Sequence, residues 1–133
     1  MPGAGGATMT RRILVVDDSP TMRRMVMAAL RGLPDATFGE ASSGLEAIER
    51  LALGPVDLVV LDINMPDMNG IDTIRFLRGH PSYARLPVVV LTTRDDLESQ
   101  EKALGLGASR YVTKPFAPAA LASEVSGLLD RGE

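Results

Sequence analysis

Asp17 and Asp18 close the apolar run ILVV, Asp62 closes LVVL, Thr92 and Thr93 close VVVL, and Lys114 follows RYVT. Each of these polar groups has an ordinary explanation when taken singly. Aspartate and threonine are common in loops and at helix starts, Asp18 could simply favour a helix N-terminus, and a lysine before a turn is usually solvated. Taken together they form a pattern, because every one stands where a hydrophobic segment stops. If those segments lie side by side, three carboxylates, a hydroxyl and an ammonium group meet at one edge. Close carboxylates repel and cannot all stay ionised unaided. A divalent cation resolves this, and hard oxygen ligands select Mg²⁺, Mn²⁺ or Ca²⁺ over zinc. Mg²⁺ keeps several exchangeable waters, which phosphate oxygens can replace. With Lys114 as a second positive charge and Thr92 as a donor, the set suits phosphoryl transfer, where catalysis is mostly positioning and charge stabilisation. One of the carboxylates would then be the nucleophile, forming an aspartyl-phosphate.

The elements that must position these groups are legible in the periodicity. Ile13–Val16 is a short apolar, mostly β-branched run that suits a strand covered on both faces of a parallel sheet. Ser19 can cap a helix whose first residue, Pro20, needs no amide hydrogen, and Thr21–Arg31 continues it to Gly32 and Pro34. Ala36–Ala41 reads as a strand, and Ala41-Ser42 at its end offers little chemistry. Ser43 and Glu46 form a capping box before the helical stripe Leu45, Ile48, Leu51 and Ala52. Asp57–Leu61 is the next strand, and Ile71, Ile74, Phe76 and Leu77 mark a helix closed by Gly79-His80-Pro81. Leu86–Leu91 is a strand, Asp95 and Asp96 open a helix through Leu104, Arg110–Thr113 is a short strand, and Pro118 opens a last helix through Leu129. Five strands alternating with five helices specify an α/β, doubly wound, mainly parallel sheet with helices on both faces. In such a sheet, ligands bind outside the carboxyl ends of the strands.

Composition bounds the alternatives. The chain has 133 residues, no cysteine and one histidine, His80, so disulfides, thiolate sites and histidine-cluster metal sites are ruled out. Net charge is −3, and no block of like charge stands out. Arg11, Arg12, Arg23 and Arg24 form the densest basic group; they read as a solvated face and strand edge, since nucleic-acid binding needs a broader basic surface. No apolar run approaches the ~20 residues of a membrane span, so no membrane insertion is expected. MPGAGGAT is too small and polar for a signal peptide. Residues 1–9 read as a flexible tail, with Met9 as another candidate start, and 10–133 as one domain. Met22, Met25 and Met27 read mostly as core packing and gap filling.

VVDDSP, LDINMPDMNG, VVLTT and YVTKPF, in this order, closely resemble the receiver domain of bacterial two-component response regulators, over about Met9 to the C-terminus. The opening VDDSPTMRRMV resembles the chemotaxis-type (CheY-like) single-domain regulators in particular. The resemblance implies the flavodoxin-like strand order 2-1-3-4-5; periodicity alone does not set the order of strands in a sheet. It further implies Asp62 as phosphoacceptor, Asp18 as a direct Mg²⁺ ligand, Asp17 as one acting partly through water, and Asn64 as the position whose backbone carbonyl completes the metal ligation. Thr92 matches the switch hydroxyl and Lys114 the lysine that pairs with the phosphoryl group. Pro115 matches a position often preceded by a cis peptide, and Tyr111 the aromatic switch that turns inward when Thr92 moves. A tyrosine on a short strand also has a plainer reading, half-buried packing with a wet hydroxyl. Thr93 is bulkier than the small residue common there, an expectation of narrowed access, and Arg94 lies where side chains vary and tune phosphate lifetime.

The implied partners are a histidine kinase and a downstream protein, such as a flagellar motor or signalling component, with no nucleic acid, in the cytoplasm. Only 19 residues follow Lys114, enough for one helix, so output through a protein contact is expected. Three rivals stand beside this reading. A phosphatase with an aspartyl-phosphate intermediate would carry a second acid two residues on, where Asp62-Ile63-Asn64 has asparagine. A flavodoxin-like carrier would want a Ser/Thr/Gly-rich phosphate loop where DDSP offers anions. A phosphate sink without an output partner would look the same in sequence.

Overall fold

A computed structural model describes residues 10–65 and 70–131. The tail expected over residues 1–9 lies outside the described residues. The elements are β1 (Arg11–Val16), α1 (Pro20–Leu30), β2 (Ala36–Ala41), α2 (Gly44–Leu53), β3 (Leu58–Leu61), α3 (Gly70–Gly79), β4 (Val88–Thr92), α4 (Leu97–Gly105), β5 (Arg110–Thr113) and α5 (Pro118–Arg131). The sheet order is β2-β1-β3-β4-β5 with every pairing parallel, the order that the resemblance implies.

The unbroken apolar runs are explained by a sheet buried on both sides. Leu14, Val16, Val59, Leu61, Val88 and Val90 face one core with Ala47 and Leu51 of α2, Ile74 and Leu77 of α3, and Ala103 of α4. The alternate residues Ile13, Val15, Leu58, Val60, Val89 and Leu91 face the other with Val26 and Leu30 of α1 and Leu121 and Val125 of α5. Each fully buried Val, Leu or Ile side chain among them contributes about 1.5–3 kcal/mol, so the central strands are stiff mounts for whatever stands at their ends. Met22 and Met27 pack against the second core as expected, whereas Met25 is half exposed.

Several strand boundaries differ from the sequence reading: β1 starts two residues earlier, at Arg11, β4 runs on to Thr92, and two strands start later than expected. β4 begins at Val88, because Pro87 has no amide hydrogen to give a ladder and contributes only its carbonyl, to Val59 N at 3.0 Å. β3 begins at Leu58, because Asp57 instead clamps Arg12: its amide donates to the Arg12 carbonyl (2.8 Å) and its Oδ2 accepts from the Arg12 amide (2.7 Å). The helix starts behave as expected, with one change. Ser19 Oγ accepts from Met22 N, and Pro20 is the first residue of α1. Ser43 Oγ accepts from Glu46 N, but the Glu46 carboxylate reaches past it to the Ser42 amide (2.6 Å) and hydroxyl (2.9 Å). Those two bonds hold the Glu46 carboxyl below the usual range.

Candidate functional site

β1, β3, β4 and β5 all end at one rim, and the polar residues that close the apolar runs stand there. Asp17 and Asp62 are buried, Asp18 is exposed, and one carboxylate oxygen from each lies within 4.8 Å of the others. Backbone amides fix the two buried carboxylates: Ser19 N donates to Asp17 Oδ1 and Asn64 N to Asp62 Oδ1, each at 2.9 Å. The short turns after β1 and β3 thus fold back onto the aspartates that open them, as Asx turns do.

Lys114 spans the sheet to reach both. Its Nζ lies 2.7 Å from Asp17 Oδ2 and 3.4 Å from Asp62 Oδ2, and all three side chains are at most 10% exposed. The Lys114–Pro115 peptide is cis, and Lys114 N donates to the Thr92 carbonyl at 2.8 Å. Thr92 is fully buried, and its hydroxyl accepts a long bond, 3.4 Å, from Arg94 N. The Arg94 carbonyl in turn accepts from the Tyr111 hydroxyl at 2.6 Å. The backbone of Arg94 therefore bridges Thr92 and Tyr111. Burial first, and then the negative charges of Asp96 and Asp95, push the Tyr111 phenol above its ordinary range, with Arg94 opposing. The Tyr111 ring packs against the first core, as the plainer reading has it, but its hydroxyl is engaged by the chain and not left to water alone. Asn64 is exposed at the mouth, Thr93 is exposed, and the Arg94 side chain lies over solvent near Asp96 at 3.9 Å.

Three carboxylates face one ammonium group here, so the local charge is not balanced by the protein's own cation. The donors are all hard oxygens, and one of the three carboxylates is open to water. That set fits a small hard cation with retained waters. Asp17, Asp18 and Asp62 are the groups whose oxygens lie close enough together to hold it.

Three residues to which the sequence reading gives no role in the site belong to this rim. Arg23 reads from sequence as part of a solvated face, but its side chain is only 15% exposed. Its Nη1 donates to the Asp17 carbonyl at 2.6 Å and its Nε to Glu40 Oε1 at 2.8 Å. Glu40, near the end of β2, gives that strand a part in the site after all. Gly70, at the start of α3, is the third: a Cβ there would lie 2.4 Å from Ile63 Cα and 2.7 Å from the Asp62 carbonyl. Only glycine lets α3 approach the chain just past Asp62. Arg12 and Arg24 are exposed, and Arg11 pairs with Asp130, which agrees with the surface reading for those three.

A parallel sheet with acids at the ends of β1 and β3, threonine at β4 and lysine after β5 is the arrangement of a phosphoacceptor domain. The response regulator receiver domain family model matches residues 13–126, and the chain belongs to that family. The chain is 41% identical over 128 residues to the DNA-binding response regulator MtrA of Mycolicibacterium smegmatis, covering 95% of this chain and 54% of that protein, so it spans about half of that relative's length. It is 38% identical over 120 residues to the chemotaxis protein CheY-3 of Vibrio cholerae, covering 90% of this chain and 92% of that one. The high-resolution structure of the chemotaxis response regulator CheY4 of Vibrio cholerae superposes with a TM-score of 0.82 at 28% identity, over 90% of this chain and 99% of that one. Receiver domains of two-component systems are phosphoacceptor signalling switches. No helix among the described residues is long and apolar enough to cross a membrane.

Proposed function

We propose that the protein is a phosphorylation-activated signalling switch in which Asp62 accepts the phosphoryl group, with chemotaxis or motility control as its setting. The single observation that carries this is the state of Asp62: buried, aimed by the Asn64 amide, within reach of Lys114, and crowded by Asp17 and Asp18. An Asp62 oxygen attacks the phosphorus of a histidine kinase's phosphohistidine or of a small acyl phosphate. The bond from phosphorus to the donor breaks, its electron pair leaves with the donor, and an aspartyl-phosphate remains. Asp17, Asp18, Asp62 and the Asn64 backbone would hold Mg²⁺, which when bound supplies neutralisation of the phosphoryl oxygens. Lys114 pairs with the same oxygens from the β5 side. Water later hydrolyses the acyl phosphate and resets the switch.

Thr92 and Tyr111 read the event. When the Thr92 hydroxyl turns toward the phosphoryl group, it withdraws from Arg94 N and loosens the segment whose carbonyl holds the Tyr111 hydroxyl. The surface of α4, β5 and α5 changes with it and binds a downstream protein in the cytoplasm. Phosphorylation shifts a population that exists beforehand, so a minor activated form is present without it. The similarity to chemotaxis proteins supports a motor or signalling partner. Intact-mass analysis after incubation with acetyl phosphate and Mg²⁺ tests the assignment. One phosphoryl group is added to the wild type and none to Asp62→Asn or to metal-free protein. Modification persisting in Asp62→Asn defeats it.

A further inference from the structure

We propose that Arg23 is a positioning residue: its guanidinium, held by Glu40, locks the Asp17–Asp18 peptide so that both carboxylates face the cation site. This rests on the functional reading above and adds a residue and a strand to it.

The placement of Arg23 is unusual on elementary grounds. It sits in the first turns of α1, where the helix dipole disfavours a positive charge. Burying most of a guanidinium adds a further desolvation cost. Two contacts offset these terms. Nε meets the Glu40 carboxylate at 2.8 Å, and Nη1 meets the Asp17 carbonyl at 2.6 Å. Charge-assisted bonds of this length are the stronger kind. Both partners are remote from a solvated helix face: one is on β2 and the other in the turn after β1.

The Asp17 carbonyl belongs to the peptide that leads into Asp18. The other handles on this turn are the Asp17 amide on the Ala41 carbonyl (3.0 Å), Asp17 Oδ1 on the Ser19 amide and Asp17 Oδ2 on Lys114. The first and last of these fix the Asp17 amide and side chain, and the Ser19 bond closes a turn that runs through the Asp17–Asp18 peptide. The carbonyl of that peptide is held by Arg23, which completes the restraint on the direction of the exposed Asp18. Partners behind metal ligands are commonly worth 10–100-fold in affinity, about tenfold at the low end.

Electrostatics gives the test its sign. Arg23 is a cation beside a cation site, so deleting its charge alone must tighten Mg²⁺ binding. Loss of positioning must weaken it. The two effects oppose, and the measurement shows which dominates. Mg²⁺ titrations of the full chain, followed by amide NMR shifts, are run on wild type, Arg23→Ala and Arg23→Lys. Ser19 amide exchange is measured on the same proteins without metal, with the Ile13–Val16 amides as the control for global stability.

Arg23→Ala is expected to bind Mg²⁺ about tenfold more weakly and to lose Ser19 protection by a similar factor while β1 stays protected. Arg23→Lys, which keeps the charge but replaces the planar fork with a single ammonium group, is expected to recover part of both. Equal or tighter Mg²⁺ binding in Arg23→Ala, or Ser19 protection unchanged in Arg23→Ala, overturns the proposal. If Arg23→Ala does not fold, Arg23→Lys decides: wild-type affinity and wild-type Ser19 exchange together count against positioning by the fork geometry. Absence of Mg²⁺ uptake by the wild type would indict the functional reading, and the metal-free exchange would still judge Arg23.

Discussion

The Tyr111 hydroxyl and Arg23 guanidinium are both aimed at backbone carbonyls, and neither target leaves a mark in the sequence. That is why the aspartates, threonine and lysine of the rim are legible at the residue scale and these two bonds are not. An acid at the end of an apolar run has a position that periodicity fixes. A hydrogen bond to a carbonyl seventeen residues away, as from Tyr111 to Arg94, depends on loop geometry that any residue type can supply. The Tyr111 bond has a consequence in alkali. The folded chain holds the phenolic proton more tightly than the unfolded chain, because burial and the nearby Asp96 and Asp95 disfavour the phenolate. That contribution to stability is complete below the ordinary tyrosine value of about 10 and is lost as pH rises through the raised folded value. Tyr111→Phe should therefore show a shallower loss of stability in urea titrations above about pH 10. At neutral pH the missing bond should cost about 1 kcal/mol. Superimposable alkaline curves would mean that the hydroxyl is not engaged as described.

At the element scale, the junction of β3 and α3 carries the tightest constraint. The stretch LVVLDINMPDMNG ends in a glycine, and α3 brings that residue against the Ile63 backbone and the Asp62 carbonyl. A methyl group at 2.4 Å from Ile63 Cα has nowhere to go, and its neighbour is main chain, which cannot rotate aside. Gly70→Ala should destabilise by about 1–3 kcal/mol, the usual range for overpacking. It should also slow phosphorylation of Asp62 by acetyl phosphate more than its stability loss explains, since the chain that moves is the one holding the Asn64 amide on Asp62 Oδ1. Full-rate phosphorylation with unaltered urea stability would refute the close approach. The sequence shows this glycine but cannot give it a task, because its meaning is a distance between two segments. The elements themselves are readable for the converse reason: continuous runs such as Val88–Leu91, with Gly and Pro punctuation, are local signals. Where boundaries shift, a non-local partner or a missing donor decides. Asp57 is a clamp and not a strand residue because Arg12 lies beside it, and Pro87 stays outside β4 because it has no donor for the ladder.

The rim exists only when the whole sheet does. Lys114 and Asp17 are 97 positions apart, and Lys114 and Asp62 are 52 apart. The strand order that seats β1 and β3 at the centre brings the carboxylates together, and β5 brings the cation from the edge. Assembling like charges this way costs stability that hydrophobic burial in two cores must offset. Asp18 shows the cost most cleanly, since it is exposed while the other two acids hold internal hydrogen bonds. Asp18→Asn keeps the shape and removes one repelling charge. Without metal, the variant should be at least as stable as the wild type, and the difference should grow at low salt as screening falls. With Mg²⁺ the order should reverse. A ligand present at a hundred times its Kd adds about 2.7 kcal/mol to the state that binds it, and each tenfold loss of affinity removes about 1.4 kcal/mol of that. Urea titrations of both proteins with and without Mg²⁺ give all four numbers. A variant that loses stability without metal, yet keeps the full Mg²⁺ increment, would make Asp18 a structural residue and leave the crowding of the rim without a function to explain it.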